Sequence, residues 1–336
     1  MIVPVKGEDE NLAANLATLA ALDYPDYELI VVAREESDIP PGVVPERARV
    51  LIAGEGDPAN GEKINNLLAA VAAARAATEV LAFADSDGKV RSGWLRALVR
   101  ALEDDHAGAA TAYRWHLPAP AGFWPLLRSV WNAVVAGGYG PGQNRFAWGG
   151  AMAIRRDMFE RLEVARHWRG SVSDDQGISA AVKEAGLLIV YAPGAIVVSS
   201  DQTGAMEFLR WIERQLIITK VYSPRLWGAA FGAHIVYCSA MVVSATFAVQ
   251  GNLTGMYTLI AQLSLGFAKG ANRLRLARRC LPEYGEWFRR HGWVHIWWTP
   301  LGTWIWLYSF LASARTSTID WRGNRYHLAA GRIEKL

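Results

Sequence analysis

The chain is poor in cysteine: its 336 residues include two, Cys238 in an apolar run and Cys280 in a basic one. Two thiols so placed exclude a disulfide framework and cysteine-based zinc spacing, and they suit a reducing, cytosol-facing site. No signal-peptide pattern precedes the first strand-like run, because Ile2-Val3-Pro4-Val5 already reads as sheet. Acidic residues are scarce in the second part. Residues 210–336 carry 16 Lys and Arg against 5 Asp and Glu, a net +11, whereas residues 1–209 carry 19 against 27, a net −8. Charge is missing altogether from residues 226–250. That stretch is long enough to cross a bilayer. The basic half is also the apolar, Trp-rich half, a pairing that suits a membrane flanked by anionic lipid and argues against a nucleic-acid partner.

What is present begins with alternation. Residues 9–21 put Leu12, Leu16 and Leu19 on one helical face, and Glu28 to Ala33 reads as a buried strand. Strands at 48–53 and 79–84 and helices at 61–76 and 92–104 follow, with further strands at 151–155, 187–192 and 195–199. The predicted fold is α/β, a Rossmann-like, mainly parallel sheet, whose ligands bind beyond the carboxyl ends of the strands. Residues 117–150, rich in Pro, Gly and aromatics around Gly137-Gly138-Tyr139-Gly140-Pro141-Gly142, read as a long functional or mobile segment. Asp174 reads as the N-cap of a helix that stops at Gly186.

The sequence divides at 204. Residues 1–204 are the expected catalytic domain, and 205–225 an amphipathic helix in the membrane interface, with Arg210, Arg214 and Lys220 among Trp211, Leu216 and Ile217. Residues 226–336 are the expected membrane region. It has spans at 226–250 and 252–268, a basic loop at 269–292, an apolar segment at 293–314 and a basic tail. Loop and tail are both cytoplasmic by the positive-inside rule, so 293–314 reads as a re-entrant or interfacial hairpin bent at Pro300-Leu301-Gly302. A plain third span fits its length almost as well.

Asp85-Ser86-Asp87 ends the strand at 79–84. Two carboxylates one residue apart at a sheet mouth can hold Mg²⁺ or Mn²⁺ against a nucleotide diphosphate, with Asp87 as principal ligand and Asp85 nearer the ribose. The same Asp-Ser-Asp-Gly string is also good turn chemistry. Asp175, at a helix start, is a candidate base for an acceptor hydroxyl, with capping as the alternative. Arg210-Trp211 offers a cation for a diphosphate and an indole for a sugar, or a plain interfacial anchor. Lys63 is a phosphate-contact candidate or a solvated helix-start lysine. A metal site followed by an anchor points to a transferase moving a sugar from a soluble nucleotide to a membrane acceptor.

These residues resemble those of ceramide glucosyltransferases, within the broader glycosyltransferase family 2 and its GT-A fold. The resemblance runs through Pro4-Val5-Lys6-Gly7-Glu8-Asp9, Leu22-Asp23-Tyr24-Pro25-Asp26-Tyr27-Glu28, Lys63-Ile64-Asn65-Asn66-Leu67, Asp85-Ser86-Asp87, Asp174-Asp175, Arg210-Trp211 and Trp321-Arg322-Gly323-Asn324-Arg325-Tyr326. It implies a uridine-diphosphate (UDP) sugar donor, a divalent metal and an inverting displacement by a lipid hydroxyl such as that of ceramide, with Asp175 as base. Lys6, Glu35, Lys63, Asp85, Arg210 and Trp211 would bind the donor. Three departures stand out. The family's first carboxylate falls at Glu35 or Glu36, Glu207 opens its Gln/Arg-x-x-Arg-Trp motif, and the usual N-terminal transmembrane helix has no counterpart. A polysaccharide synthase needs a longer bundle of spans, and a non-catalytic scaffold has no use for Asp85, Asp87 and Asp175. Oligomeric state is left open.

Overall fold

A computed structural model describes residues 1–139, 145–329 and 332–336. In chain order its elements begin with β1 (Ile2–Pro4), α1 (Leu12–Ala20), β2 (Ile30–Ala33), β3 (Arg49–Ile52), α2 (Glu62–Ala73), β4 (Val80–Phe83), α3 (Trp94–Ala101), β5 (Ala107–Thr111) and β6 (Arg114–His116). There follow α4 (Phe123–Ala136), β7 (Met152–Arg155), α5 (Arg156–Arg161), α6 (Val164–Trp168), α7 (Asp174–Glu184), β8 (Leu188–Tyr191) and β9 (Val197–Ser199). Next are α8 (Ala205–Tyr222), α9 (Pro224–Val249), α10 (Leu253–Cys280), α11 (Gly285–His291), α12 (Val294–Trp297) and α13 (Thr299–Arg315). The chain closes with β10 (Thr318–Trp321), β11 (Asn324–Ala329) and β12 (Arg332–Lys335).

Two compact units emerge: Met1–Trp115 with Gly138–Asp201 and Asp320–Leu336, and His116–Gly137 with Gln202–Ile319. The contiguous division expected at 204 is therefore interleaved. The tail, expected to be part of the membrane region, belongs with the sheet, and part of the segment 117–150 belongs with the helices.

The first unit is built on a seven-stranded sheet of order β3-β2-β1-β4-β7-β5-β8. β1, β2, β3 and β4 run parallel, as do β5 and β8, while β7 is antiparallel between β4 and β5. Both faces are covered, as a mainly parallel sheet requires. Val3 and Val31 point to one face, where Leu12, Leu16 and Leu19 of α1 and Trp94 and Leu98 of α3 meet them. Ile2, Ile30 and Val32 point to the other, under Ile64 and Leu67 of α2 and Ile178 and Val182 of α7. The period-two alternation of strands and the i, i+4, i+7 spacing of helices thus meet in two apolar layers. β10, β11 and β12 form a separate three-stranded sheet.

The second unit is helical. Trp131 and Trp306 stack at its centre with centroids 4.1 Å apart, amid Leu127, Phe208, Ile212, Leu216 and Phe310. The apolar stripe of α8, expected to lie in a membrane interface, is buried in this core. α9 is, among the described residues, the one helix long and apolar enough to cross a membrane, with mean hydropathy 1.6. Val236 is 71% exposed and Val249 89%, the reverse of a soluble core helix.

Other expectations need correction. The segment 117–150 is not wholly irregular, because α4 occupies its centre. Pro125 sits in the first turn of α4, where a missing N–H costs little. Residues 140–144, including Gly140-Pro141-Gly142, lie outside the described residues. Helix α10 runs through the second expected span and on to Cys280, so much of the basic loop is helical. The break in 293–314 falls at Trp298, before Pro300. Proline at a helix start replaces an N–H that has no intrahelical partner anyway, so it opens α13 and does not bend it.

Candidate active site

Asp85, Ser86 and Asp87 follow the carboxyl end of β4, where the sheet order places ligands. Lys63, on the first turn of α2, reaches Asp85 Oδ1 at 2.9 Å and Asp174 Oδ1 at 3.0 Å. The solvated-lysine reading therefore fails: Lys63 is the cation between two carboxylates. Burial opposes its charge, but Asp174 and Asp85 outweigh burial and raise its pKa.

Arg114 on β6 forks onto Asp87, with Nη1 donating to Oδ2 at 2.8 Å and Nη2 to Oδ1. Its Nη2 also lies 3.5 Å from Asp85 Oδ2. Burial works to raise the Asp87 pKa, yet Arg114 prevails and lowers it to about 2. Asp87 is thus held ionised. Two carboxylates, hard oxygen donors one residue apart, fit Mg²⁺ or Mn²⁺, which takes one or two carboxylates and completes its shell with phosphate and water. Among the described residues no group of three or more Asp, Glu, Cys and His side chains is placed to hold a metal ion.

Asp174 is not the N-cap. Ser173, in extended backbone, holds that position, and Asp174 is the first residue of α7. Its carboxyl is drawn to Lys63 and cannot fold back onto its own helix. Burial raises its pKa to about 6, with Lys63 opposing and Asp175 and Asp85 adding to the rise. Its Oδ2 is buried with no hydrogen-bond partner. Gly149 lies over this pair, and a Cβ there would sit 2.8 Å from Asp174 Oδ2 and 3.1 Å from Lys63 Nζ.

Asp175 is half-buried, the more open of the two. Its Oδ1 accepts from Ser173 Oγ and from the Gln176 amide at 2.7 Å, and its Oδ2 accepts from the Gly149 amide at 3.2 Å. Three donors hold the carboxylate in one orientation.

Lys6 donates to both oxygens of Glu62 at 2.6 Å. Glu35 is exposed at the start of a short 3₁₀ turn. The buried carboxylate after β2 is instead Asp38, whose Oδ2 accepts from the Glu35 amide at 3.4 Å. Arg210 and Trp211 belong to the second unit. There Arg210 is exposed, and Trp211 packs edge-on to Trp131 at 5.2 Å and to His116 at 5.8 Å. Glu207, the departure at the head of that motif, accepts from the Gly204 amide at 3.3 Å and so caps α8.

Sequence reasoning missed Arg114, Asp38 and the bond between Lys63 and Asp174. A partly buried carboxylate pair calls for a counter-cation, a signal that a cation exists but not which.

The family model for glycosyl transferase family 21 matches residues 1–334. No curated protein matches the chain. Among solved structures it is similar to a mycobacterial protein, 16% identical, with 65% of this chain and 72% of that chain covered at a TM-score of 0.40. It is also similar to S. aureus TarS 1–349, 14% identical, with 65% and 64% covered at a TM-score of 0.36. Similarities at that level bear on neither the fold nor the chemistry. The family match, by contrast, takes in the sheet, the carboxylates after β4 and the C-terminal strands together, and the chain belongs to glycosyl transferase family 21: it is a glycosyltransferase.

Proposed function

We propose that this glycosyltransferase moves a hexose, glucose, from a UDP-sugar to a lipid hydroxyl such as that of ceramide, with inversion, from a membrane-bound position with the sheet unit facing the cytoplasm. The observation that carries the reading is the gathering of Asp85, Asp87, Lys63, Asp174 and Asp175 within one family 21 chain. The apolar, exposed α9 supports a membrane-held acceptor, and the basic residues at the end of α10 and in α11 support a cytoplasmic face.

In this mechanism Asp87 and Asp85 would hold Mg²⁺ or Mn²⁺, which when bound would supply positive charge against the leaving diphosphate. Arg114 keeps Asp87 ionised, and Lys63 and Arg114 orient the two carboxylates. Lys6 supplies a cation for the donor. Glu35, exposed beyond β2, remains our assignment for the uracil end. Asp175, fixed by Ser173, Gln176 and Gly149, accepts the proton of the lipid hydroxyl. The hydroxyl oxygen bonds to the anomeric carbon from the face opposite UDP, the anomeric C–O bond to phosphate breaks, and UDP leaves with that electron pair.

The test is UDP release from UDP-glucose by the detergent-solubilised full chain, with and without ceramide, product identified by mass spectrometry. We expect lipid-dependent release that EDTA abolishes. Release indifferent to lipid refutes the acceptor assignment, and full activity in EDTA refutes the metal assignment.

A further inference from the structure

The turn between β10 and β11 has two residues, Arg322 and Gly323, with φ of +50° and +77°. Paired positive φ values are those of a type I′ turn, a conformation in which Asn, Asp or Gly is at ease and Arg is not. A strained residue at a place where a better one is available points to what its side chain does.

That side chain reaches the rim of the carboxylate site. Arg322 Nη1 donates to the Lys6 carbonyl at 3.3 Å, and Nη2 pairs with Asp9 Oδ1. The other oxygen of Asp9 accepts from Ser86 Oγ at 2.7 Å. One carboxylate therefore ties the guanidinium to the middle residue of Asp85-Ser86-Asp87. The hairpin is pinned beside it: Asn324 Nδ2 donates to Glu62 Oε2 at 3.0 Å, and Tyr326 Oη accepts from the Glu62 amide at 3.4 Å. Glu62 is also the partner of Lys6. Arg322 is close enough to Asp87 for its charge to help lower that pKa. Its side chain is 37% exposed while that of Asp9 is 11%, so a largely buried acid holds a guanidinium that still reaches solvent.

We propose that Arg322 binds the diphosphate of the nucleotide-sugar donor, making the C-terminal hairpin part of the donor site. A guanidinium fork matches phosphate oxygens bidentately. Asp9 pre-orients it, and Lys6 adds a second cation on the same rim. The inference rests on the nucleotide-diphosphate reading above.

The experiment measures binding of UDP and of uridine, with Mn²⁺ present, to the full chain in detergent, for wild type, Arg322→Gly and Arg322→Lys. Glycine suits the turn, so Arg322→Gly removes the charge while easing the backbone. We expect UDP affinity to fall roughly tenfold or more in Arg322→Gly, with Arg322→Lys between, and uridine affinity to stay unchanged. Equal UDP affinity in wild type and Arg322→Gly overturns the inference while leaving the donor reading intact. So does a parallel loss of uridine and UDP binding, which marks a structural role. A wild type that binds no UDP overturns the donor reading and this inference with it.

Discussion

Replacing Lys63 by methionine removes the ammonium that faces Asp85 and Asp174 and leaves a side chain of similar length. The Asp174 side chain is 4% exposed, so water cannot replace the lost partner. Breaking a buried ion pair by deleting one partner costs about 3–5 kcal/mol, or roughly 6–12 °C in Tm at the lower figure for a unit of this size. The pH dependence is the sharper test. Asp174 has a folded pKa of about 6 against an ordinary 3.8, so the folded state holds the proton more tightly than the unfolded one. Stability therefore falls as pH rises from about 4 and levels off above about 6 in the wild type. Without Lys63 the folded pKa climbs further, and the fall continues. Above about pH 6 the variant therefore goes on losing stability with rising pH where the wild type has levelled off. Chemical denaturation of the solubilised chain across that range reads the difference. Parallel profiles for wild type and Lys63→Met refute the argument, as does a slope that persists in Lys63→Met/Asp174→Asn, where no carboxyl remains at 174 to titrate.

Two further outcomes follow from the same structure. Asp175→Asn keeps the shape of the carboxylate but not its basicity, so transfer should drop by roughly 10²–10⁴ with UDP-sugar affinity near wild type; unchanged turnover removes Asp175 from the role of base. Val242 is 53% exposed on α9, and Val242→Arg puts a charge worth about 2.5–3.5 kcal/mol into a spanning helix, so less of the chain should resist alkaline extraction of membranes. Full retention denies α9 that role.

What local physics controls can be read from the residues alone. Leu12, Leu16 and Leu19 mark α1 by helical spacing, the apolar run before Asp85 marks β4, and their alternation implies a mainly parallel sheet with ligands at its carboxyl edge. The sequence also marks α9, since an uncharged stretch of that length needs no tertiary context to be noticed. Local signals failed where two readings compete for one residue. Pro125 and Pro300 suggest irregularity or a bend in the sequence, yet each occupies the opening turn of a helix. Asp174 satisfies the rule for an N-cap but faces Lys63, because the ion pair captures the carboxyl that would otherwise cap.

Which charges meet depends on the folded chain. Arg114 and Asp87 are 27 positions apart, and Arg322 and Asp9 are 313. No periodicity links such pairs, and a lone arginine on a strand or in a turn carries no mark of its partner. They meet because the sheet brings the carboxyl ends of separated strands to one edge and the C-terminal hairpin returns to it. Carboxylates partly withdrawn from water must find cations there. Sequence names the acids, and the folded chain chooses the bases that hold them.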